Sequence, residues 1–308
     1  MLKNHIRINS SLLQFIKSNN RSRIIHSFFD LLDERSLINS FPCESDSTLG
    51  AGEYSFLIYG GQYLTLYNID GPLCRLPWDT NIYDSIKQIR WSTYHRSYLI
   101  MTARVFSIFV LYSYELFPMK KTFPINEQLQ LFTCHQADLW LVCLLTMTRR
   151  QIVVHYDLSD WERNTSAKKV FSFDKLGLYR TDQICAIEND QYGEILALLI
   201  AERNQNLTVG IQRRRRLILI SIYTMSPTRV IYFSGADDLY WTLTPIINPQ
   251  TSKIGWLLSK WFDNELTFVD HQLTCIEYKK SLRNLAITID GHYLILRTID
   301  SLDIYQIN

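Results

Sequence analysis

The most chemically distinctive residues are four consecutive arginines, Arg213, Arg214, Arg215 and Arg216. Adjacent guanidinium groups repel one another, so we expect this segment to be solvated unless it meets anions. One interpretation is a contact with a phosphoinositide, a nucleic acid or an acidic peptide. The other interpretation, which we favour, is an exposed loop whose charges protect the aggregation-prone apolar run 217–220.

A pair of adjacent aromatic residues, Trp261 and Phe262, is followed by Asp263 and Asn264. Asp and Asn favour turns, and a turn with two large rings exposes part of at least one of them. Trp is enriched at the energetic centres of protein interfaces. We therefore predict that Trp261 and Phe262 contact a partner protein or peptide, with packing inside the core as the alternative.

Signatures of catalysis, cofactor binding and metal binding are not found. The sequence contains no P-loop, no GxGxxG, no GxSxG and no HExxH. Its seven histidines form no ligand pair of known spacing, and the acidic pairs Asp237–Asp238 and Asp263–Glu265 lie in predicted turns. We therefore predict no catalytic, cofactor-binding or metal-binding residues, no cofactor and no enzymatic activity.

Cysteine usage and hydropathy indicate a cytoplasmic chain. The six cysteines are irregularly spaced and include no CxxC pair, which favours reduced thiols. The N-terminus lacks the apolar segment of a signal peptide. The apolar run 98–117 is long enough to span a membrane, but Arg104 near its middle and a break at 102–104 favour a buried β-hairpin. We thus expect no transmembrane segment.

The overall composition is that of a globular, strand-rich chain. In 308 residues, 47% are hydrophobic and 20% charged, and the formal net charge is +2. These values exclude global disorder and a dominant polybasic or acidic tail. The 18 Tyr, 15 Phe and 7 Trp favour β-strands over helices.

An internal repeat is the strongest pattern in the sequence. Six stretches share the form apolar strand, short polar break, apolar strand, and their anchor residues are spaced by about 47 residues on average. These anchors are Leu57, Leu99, Leu141, Leu196, Trp256 and Leu294. Shorter strands are predicted on both sides of each hairpin, so each repeat would be an antiparallel sheet of three or four strands. Such sheets bury both faces when they pack radially around an axis.

The repeat resembles that of WD40-like β-propellers, and NHL-type propellers are an equally fair comparison. Residues 86–91 with 98–102 and 107–110, and residues 285–295 with 302–305, carry the resemblance, which covers about residues 51–308. No repeat combines the Gly-His opening with the Trp-Asp closing that define WD40 repeats. The resemblance implies an all-β propeller of six blades, or seven if the N-terminal segment builds another.

Residues 1–50 are predicted to form a short, partly helical extension before the propeller of residues 51–308. A helix is expected within 11–36, with a strand at 23–32 as the alternative. Because the sixth repeat ends after its third strand, the N-terminal segment is a candidate for the missing closing strand. Residues 37–42 could provide it or form the first inner strand, and residues 44–52 read as a linker.

From this fold we expect a non-catalytic scaffold that binds a peptide or a partner protein through loops around the central channel. The resemblance carries this expectation, since propellers host many functions. The alternatives are phosphoinositide or nucleic-acid binding through Arg213–Arg216, and a propeller hydrolase. The hydrolase would need acidic or metal-binding residues that converge on the mouth of the channel.

Overall fold

Strands account for nearly all regular structure in this protein. The computed structural model describes residues 36–43, 48–102, 106–110, 115–118, 127–159, 169–202, 214–234, 241–248, 253–260, 265–269, 275–279, 284–288, 291–298 and 300–307. The strands in these residues are β1 (Leu37–Pro42), β2 (Thr48–Ala51), β3 (Phe56–Tyr59), β4 (Tyr63–Asn68), β5 (Gly71–Pro77), β6 (Ile86–Ser92), β7 (Ser97–Thr102), β8 (Phe106–Val110), β9 (Glu115–Pro118), β10 (Glu127–His135), β11 (Asp138–Leu145), β12 (Arg150–Asp157), β13 (Lys169–Phe171), β14 (Asp182–Asn189), β15 (Ile195–Glu202), β16 (Arg214–Ser221), β17 (Ser226–Ser234), β18 (Trp241–Asn248), β19 (Lys253–Lys260), β20 (Glu265–Val269), β21 (Cys275–Lys279), β22 (Asn284–Ile287), β23 (Tyr293–Arg297) and β24 (Ser301–Gln306). The helical elements within the same residues are a single turn of α-helix, α1 (Thr80–Tyr83), and a 3-10 turn (Phe173–Leu176).

The described strands form four-stranded antiparallel sheets. Five of these sheets are blades of consecutive strands: blade 1 (β2–β5), blade 2 (β6–β9), blade 3 (β10–β13), blade 4 (β14–β17) and blade 5 (β18–β21). One further sheet among these residues joins the two ends of the chain in the order β1-β24-β23-β22. We call it the composite sheet.

The sheets are arranged around a central axis. The first strand of each blade packs against the first strand of the next, and β22 of the composite sheet packs against both β18 and β2, which closes the ring. The prediction of an all-β propeller is therefore confirmed.

The predicted number of blades, six or seven, is wrong when a blade is counted as a sheet of consecutive strands. Among the described residues the chain builds five blades from consecutive strands, and the composite sheet completes the ring. The reason is that the C-terminal repeat ends after three strands, so its outer edge at β24 needs a strand from elsewhere. β1 occupies that edge and pairs antiparallel with β24, from Leu37 opposite Tyr305 to Pro42 opposite Ser301.

The hydrophobic core lies in layers between neighbouring sheets. All six residues of β7 are buried, whereas exposed and half-buried positions alternate along most of the outer strand β5. Leu99 and Met101 of blade 2, for example, pack with Leu141 and Tyr156 of blade 3. Full burial of a Leu or Met side chain contributes about 1.5–3 kcal/mol, and a blade cannot gain this without a neighbour on each face.

The N-terminal part of the propeller begins before residue 51. β2 lies inside the segment that reads as a linker, and it is the innermost strand of blade 1. A Cβ atom on Gly50 would stand 2.6 Å from Cγ2 of Ile89 and 2.9 Å from the Ile89 carbonyl oxygen. Glycine at this position therefore reflects the close approach of β2 to β6. The helix predicted within 11–36 and the alternative strand at 23–32 lie outside the described residues.

The described residues of the apolar run 98–117 lie in strands. β7 and β8 pair antiparallel, with Tyr98 opposite Phe109, and β9 pairs with β8. The predicted hairpin is confirmed. Within the described ranges, no helix has the length and hydropathy that crossing a bilayer requires.

Candidate functional site

The central channel opens at the end of the propeller where the innermost strands finish. A cavity of about 170 Å³ lies there. Its lining includes residues from all the innermost strands: Gly50, Arg90, Trp91, Cys134, His135, Glu188, Asn189, Thr244, Ile246, Leu285 and Ile287, together with Thr93 and Asp190 from the turns that follow β6 and β14. We call this cavity the channel mouth.

An ion pair spans the wall of the channel mouth. Nη2 of Arg90, on β6, lies 2.9 Å from Oε2 of Glu188, on β14, so the pair reaches past blade 3. Thr133, on β10 of blade 3, donates its hydroxyl proton to Oε1 of Glu188. The carboxylate thus connects three consecutive blades.

The ionisation of Glu188 is governed by two opposing effects. Burial raises the pKa of its carboxyl above the ordinary value, while Arg90 and the hydrogen bonds from Thr133 and the Asn189 backbone N–H oppose that rise. The N–H of Asn189 lies 3.2 Å from Oε1 of Glu188. Because its oxygens are held by these donors, the carboxylate is built into the wall of the channel.

Several polar atoms of the lining lack a hydrogen-bond partner among the described residues. They are Nε of Arg90, Nε1 of Trp91, Oγ1 of Thr93, Nδ2 and Oδ1 of Asn189, and Oδ2 of Asp190. Asn189 is 4% exposed and Asp190 is 2% exposed, so bulk solvent does not reach most of either side chain. Buried polar groups in native proteins are normally hydrogen-bonded. This set can bind a group that offers both a donor and acceptors.

The orientation of Asp190 is set by its own turn. Its Oδ1 accepts hydrogen bonds from the backbone N–H groups of Glu194 (2.7 Å) and Ile195 (3.0 Å). These bonds hold the carboxylate in place and leave Oδ2 for another donor. The site therefore has one rigid acceptor, Asp190, beside the amide of Asn189, which is both donor and acceptor.

His135 and Cys134 complete this side of the mouth. Burial lowers the pKa of His135, and the nearby carboxylates of Asp190 and Asp138 oppose the decrease. Burial and, to a smaller extent, the carboxylate of Glu188 raise the pKa of the Cys134 thiol to about 12, against the opposing effect of Arg90. The thiol donates to the carbonyl oxygen of Trp91 over 3.2 Å. A thiol with that pKa stays protonated at neutral pH and is a poor nucleophile.

Arg213–Arg216, the predicted arginine cluster, does not form an exposed loop where it is described. Arg214, Arg215 and Arg216 begin β16, and Arg215 and Arg216 are 0% and 3% exposed. Arg216 forms an ion pair with Asp182 and lies over the ring of Tyr179, with its Cζ 4.8 Å from the ring centroid. The expectation of exposure is wrong for these two residues because the cluster continues a buried strand. Arg213 lies outside the described residues, and for Arg214 only the backbone is described.

The predicted aromatic pair, Trp261 and Phe262, lies outside the described residues. Arg90, Asn189 and Asp190 were not predicted as site residues, since each is an ordinary polar residue near a strand end in the sequence. Only their shared position at the ends of innermost strands could have indicated them. Within the described part of the chain, no cluster of three or more His, Cys, Asp or Glu side chains could hold a metal ion.

Comparison with known proteins supports the fold. No family model matches this sequence, and no curated protein matches it. Hydrazine synthase of Kuenenia stuttgartiensis superposes with a TM-score of 0.55 at 7% identity, over 84% of this chain and 82% of that one. Virginiamycin B lyase of Staphylococcus aureus gives a TM-score of 0.52 at 10% identity, over 87% and 98% of the two chains. BBS1N, crystallised with ARL6DN, gives 0.50 at 8% identity, over 88% and 96%.

At these identities the similarity concerns the arrangement of strands and carries no information about activity. It agrees with the closed ring of sheets and with the propeller pattern of the sequence. On these grounds the chain is a β-propeller.

Proposed function

We propose that this protein is a non-catalytic interaction platform that binds a peptide or a loop of a partner protein at the channel mouth. One observation carries the proposal: six polar atoms of the lining have no hydrogen-bond partner among the described residues. An extended peptide offers alternating N–H and C=O groups, which are the complements of Asp190 Oδ2 and the Asn189 amide. The propeller BBS1N was crystallised in complex with ARL6DN, so the fold is compatible with a protein partner.

The size of the mouth limits what can enter it. A cavity of about 170 Å³ has the volume of roughly five or six water molecules. It therefore admits a loop tip, a chain terminus or one side chain of a partner, and the rest of the partner would lie on the surrounding turns.

A search for peptide ligands tests this proposal. The wild-type protein would select from a phage-displayed library of random peptides, and the affinity of the enriched peptides would be measured by calorimetry. We expect Asn189→Leu, which keeps the size of the side chain and removes its polar atoms, to weaken binding by roughly tenfold or more. Asp190→Asn should also weaken binding, and it retains the Oδ1 acceptor that holds the turn.

Gln128→Leu is the matched control, because it makes the same kind of change on an exposed position of β10 outside the lining. Equal affinity of selected peptides for all these proteins would contradict the proposal. Enrichment of no peptide on the wild type would contradict it as well.

The absence of catalysis is part of the proposal. Glu188 is held by Arg90 and Thr133, and Cys134 has a raised pKa, so neither is set up as a reactive group. A propeller hydrolase is the second candidate, because the acidic residues it would need, Glu188 and Asp190, do lie at the channel mouth beside His135. Hydrolysis of chromogenic ester, phosphate or glycoside substrates that Asp190→Asn abolishes would favour the hydrolase over the platform.

A further inference from the structure

A large cleft lies away from the channel mouth, between blade 3 and blade 4. Its volume is about 990 Å³, at the upper end of the roughly 300–1,000 Å³ of typical ligand sites. One wall is the turn between β11 and β12. The other is the segment 172–183 that leads from β13 into β14. We call it the inter-blade cleft.

The inter-blade cleft and the channel mouth lie at opposite ends of the same strand. Asp182, the first residue of β14, lines the cleft, and Asn189, its last residue, lines the channel mouth. Seven steps along a strand span about 23 Å. The two sites therefore open on opposite faces of the propeller, and a ligand in one does not contact the other.

The accessible charge of the cleft is positive. Arg149, Arg150 and Arg180 line it, and all three are exposed. Its acidic lining residues are Asp174, which is exposed, and Asp182, which is buried. Asp182 is already neutralised by its ion pair with Arg216 beneath the floor. Three arginines against Asp174 leave a net charge of +2 facing the cleft.

The side chains of these three arginines are available to bind a ligand. Among the described residues, no ion pair or side-chain hydrogen bond engages Arg149, Arg150 or Arg180. The contrast with the neighbouring Arg216 is informative, because that guanidinium is buried and ion-paired. The cleft therefore presents three guanidinium groups that can each bind a carboxylate or phosphate oxygen in a fork geometry.

The floor of the cleft adds an apolar component. Leu144, Leu145, Ile152 and Phe173 are half-buried there. Hydroxyl groups of Ser172, Thr148 and Thr181 stand on its walls. A free phosphate would contact the arginines and leave the apolar floor exposed to water. A peptide that alternates acidic and apolar side chains would contact both the arginines and the apolar floor.

We propose that the inter-blade cleft binds an acidic peptide segment that also carries apolar side chains. Its carboxylates would pair with Arg149, Arg150 and Arg180, and its apolar side chains would cover Leu144, Ile152 and Phe173. This site goes beyond the platform proposed above, and it does not depend on it.

Fluorescence polarisation with defined peptides tests the cleft. The probe is a fluorescein-labelled decapeptide of alternating Glu and Leu, and the comparison peptides replace Glu by Lys or Leu by Ser. We expect binding of the Glu-Leu probe that weakens as salt rises, weaker binding of the Glu-Ser peptide, and none of the Lys-Leu peptide. Arg149→Glu and Arg180→Glu should each reduce affinity by roughly tenfold.

Arg96→Glu is the matched control. Arg96 and Arg149 are both exposed turn arginines with positive φ, 48° and 50°, and Arg96 lies on the opposite face. Asp174→Asn provides a second test that does not depend on a loss of binding: removal of the opposing carboxylate should tighten it. Circular dichroism would show whether each variant is folded.

The outcomes separate clearly. Loss in the cleft variants, with Arg96→Glu unchanged and Asp174→Asn tighter, supports the proposal. Equal loss in Arg96→Glu would mean that net charge alone drives binding, and would overturn it. Failure of the acidic probe to bind would also overturn the proposal. Co-sedimentation of the protein with phosphatidylserine vesicles, without any binding of the peptide, would overturn it too. Because Asn189→Leu should leave this binding intact, failure of the channel-mouth proposal would be seen separately.

Discussion

The side chain of Gln151, on β12 of blade 3, hydrogen-bonds both backbone groups of Ile184, on β14 of blade 4. Its Oε1 accepts from the Ile184 N–H over 2.7 Å, and its Nε2 donates to the Ile184 carbonyl oxygen over 3.2 Å. The pairing of β14 with β15 shifts register between Ile184 and Ala186. Backbone N–H and C=O groups in this part of β14 can therefore form hydrogen bonds outside the sheet. A buried glutamine thus joins two blades as a sheet hydrogen bond would.

Replacing Gln151 by Leu should destabilise the protein. The change keeps the approximate volume and leaves two buried backbone groups of Ile184 without their partner, at about 1–3 kcal/mol for each group. The free energy of unfolding in urea would measure the effect. Gln128→Leu, at an exposed position on β10, should stay within about 0.5 kcal/mol of the wild type. Similar losses for both variants would contradict the role assigned to Gln151.

Removing the cation of the Arg90–Glu188 pair should cost more than removing a surface charge. Arg90→Leu leaves the mostly buried carboxylate without its partner, and loss of one member of a buried pair costs about 3–5 kcal/mol. Because both side chains keep some exposure, 19% and 12%, we expect the lower end of that range. Chemical denaturation at neutral pH would measure the difference.

The same variant should show a characteristic pH dependence. Burial already raises the pKa of Glu188, and loss of Arg90 would raise it further. A carboxyl whose pKa is higher in the folded than in the unfolded state contributes stability at low pH, which is lost as pH rises through the folded pKa. The deficit of Arg90→Leu relative to the wild type should therefore shrink as pH falls toward 4.5, the ordinary pKa of Glu. A deficit that does not change with pH would contradict this.

Two glycines with positive φ distinguish backbone strain from crowding. At Gly193, φ is +71° and an added Cβ would stand 2.2 Å from Cδ2 of His135; at Gly61, φ is +79° and nothing lies within 4 Å. Gly61→Ala should cost about 1–2 kcal/mol from its left-handed backbone alone. Gly193→Ala should cost more, because the His135 ring must also move. Thermal unfolding of the two variants would test this, and equal losses would show that His135 gives way freely.

The closing strand β1 can be tested by truncation. A chain that starts at residue 44 lacks β1 and exposes the edge of β24, whereas a chain that starts at residue 36 keeps it. We expect the shorter chain to melt at a lower temperature and to aggregate through its unpaired edge. The longer chain is the control. Equal melting temperatures and equal solubility of the two chains would show that β1 does not stabilise the ring.

Much of the architecture is predictable from the sequence because it depends on local periodicity. Leu57, Leu99, Leu141, Leu196 and Leu294 lie in the second strands of their sheets, as the repeat predicts, since an apolar strand covered on both faces needs a continuous apolar run. The hairpin of residues 98–110 follows from Arg104 and the break beside it. These features depend on residues that lie close together in the sequence.

What the tertiary structure alone decided is which polar residues meet. Gln212–Arg216 looks like a solvated charge run, yet Arg216 pairs with Asp182, 34 residues away, inside blade 4. Arg90 and Glu188 are almost 100 residues apart and meet because each stands near the end of an innermost strand of the ring. Residues 48–51 resemble a linker in the sequence because they include Gly50. Strand β2 requires a glycine there because it packs closely against Ile89. Periodicity determines which face of a strand is buried, but only closure of the ring determines what that face contacts.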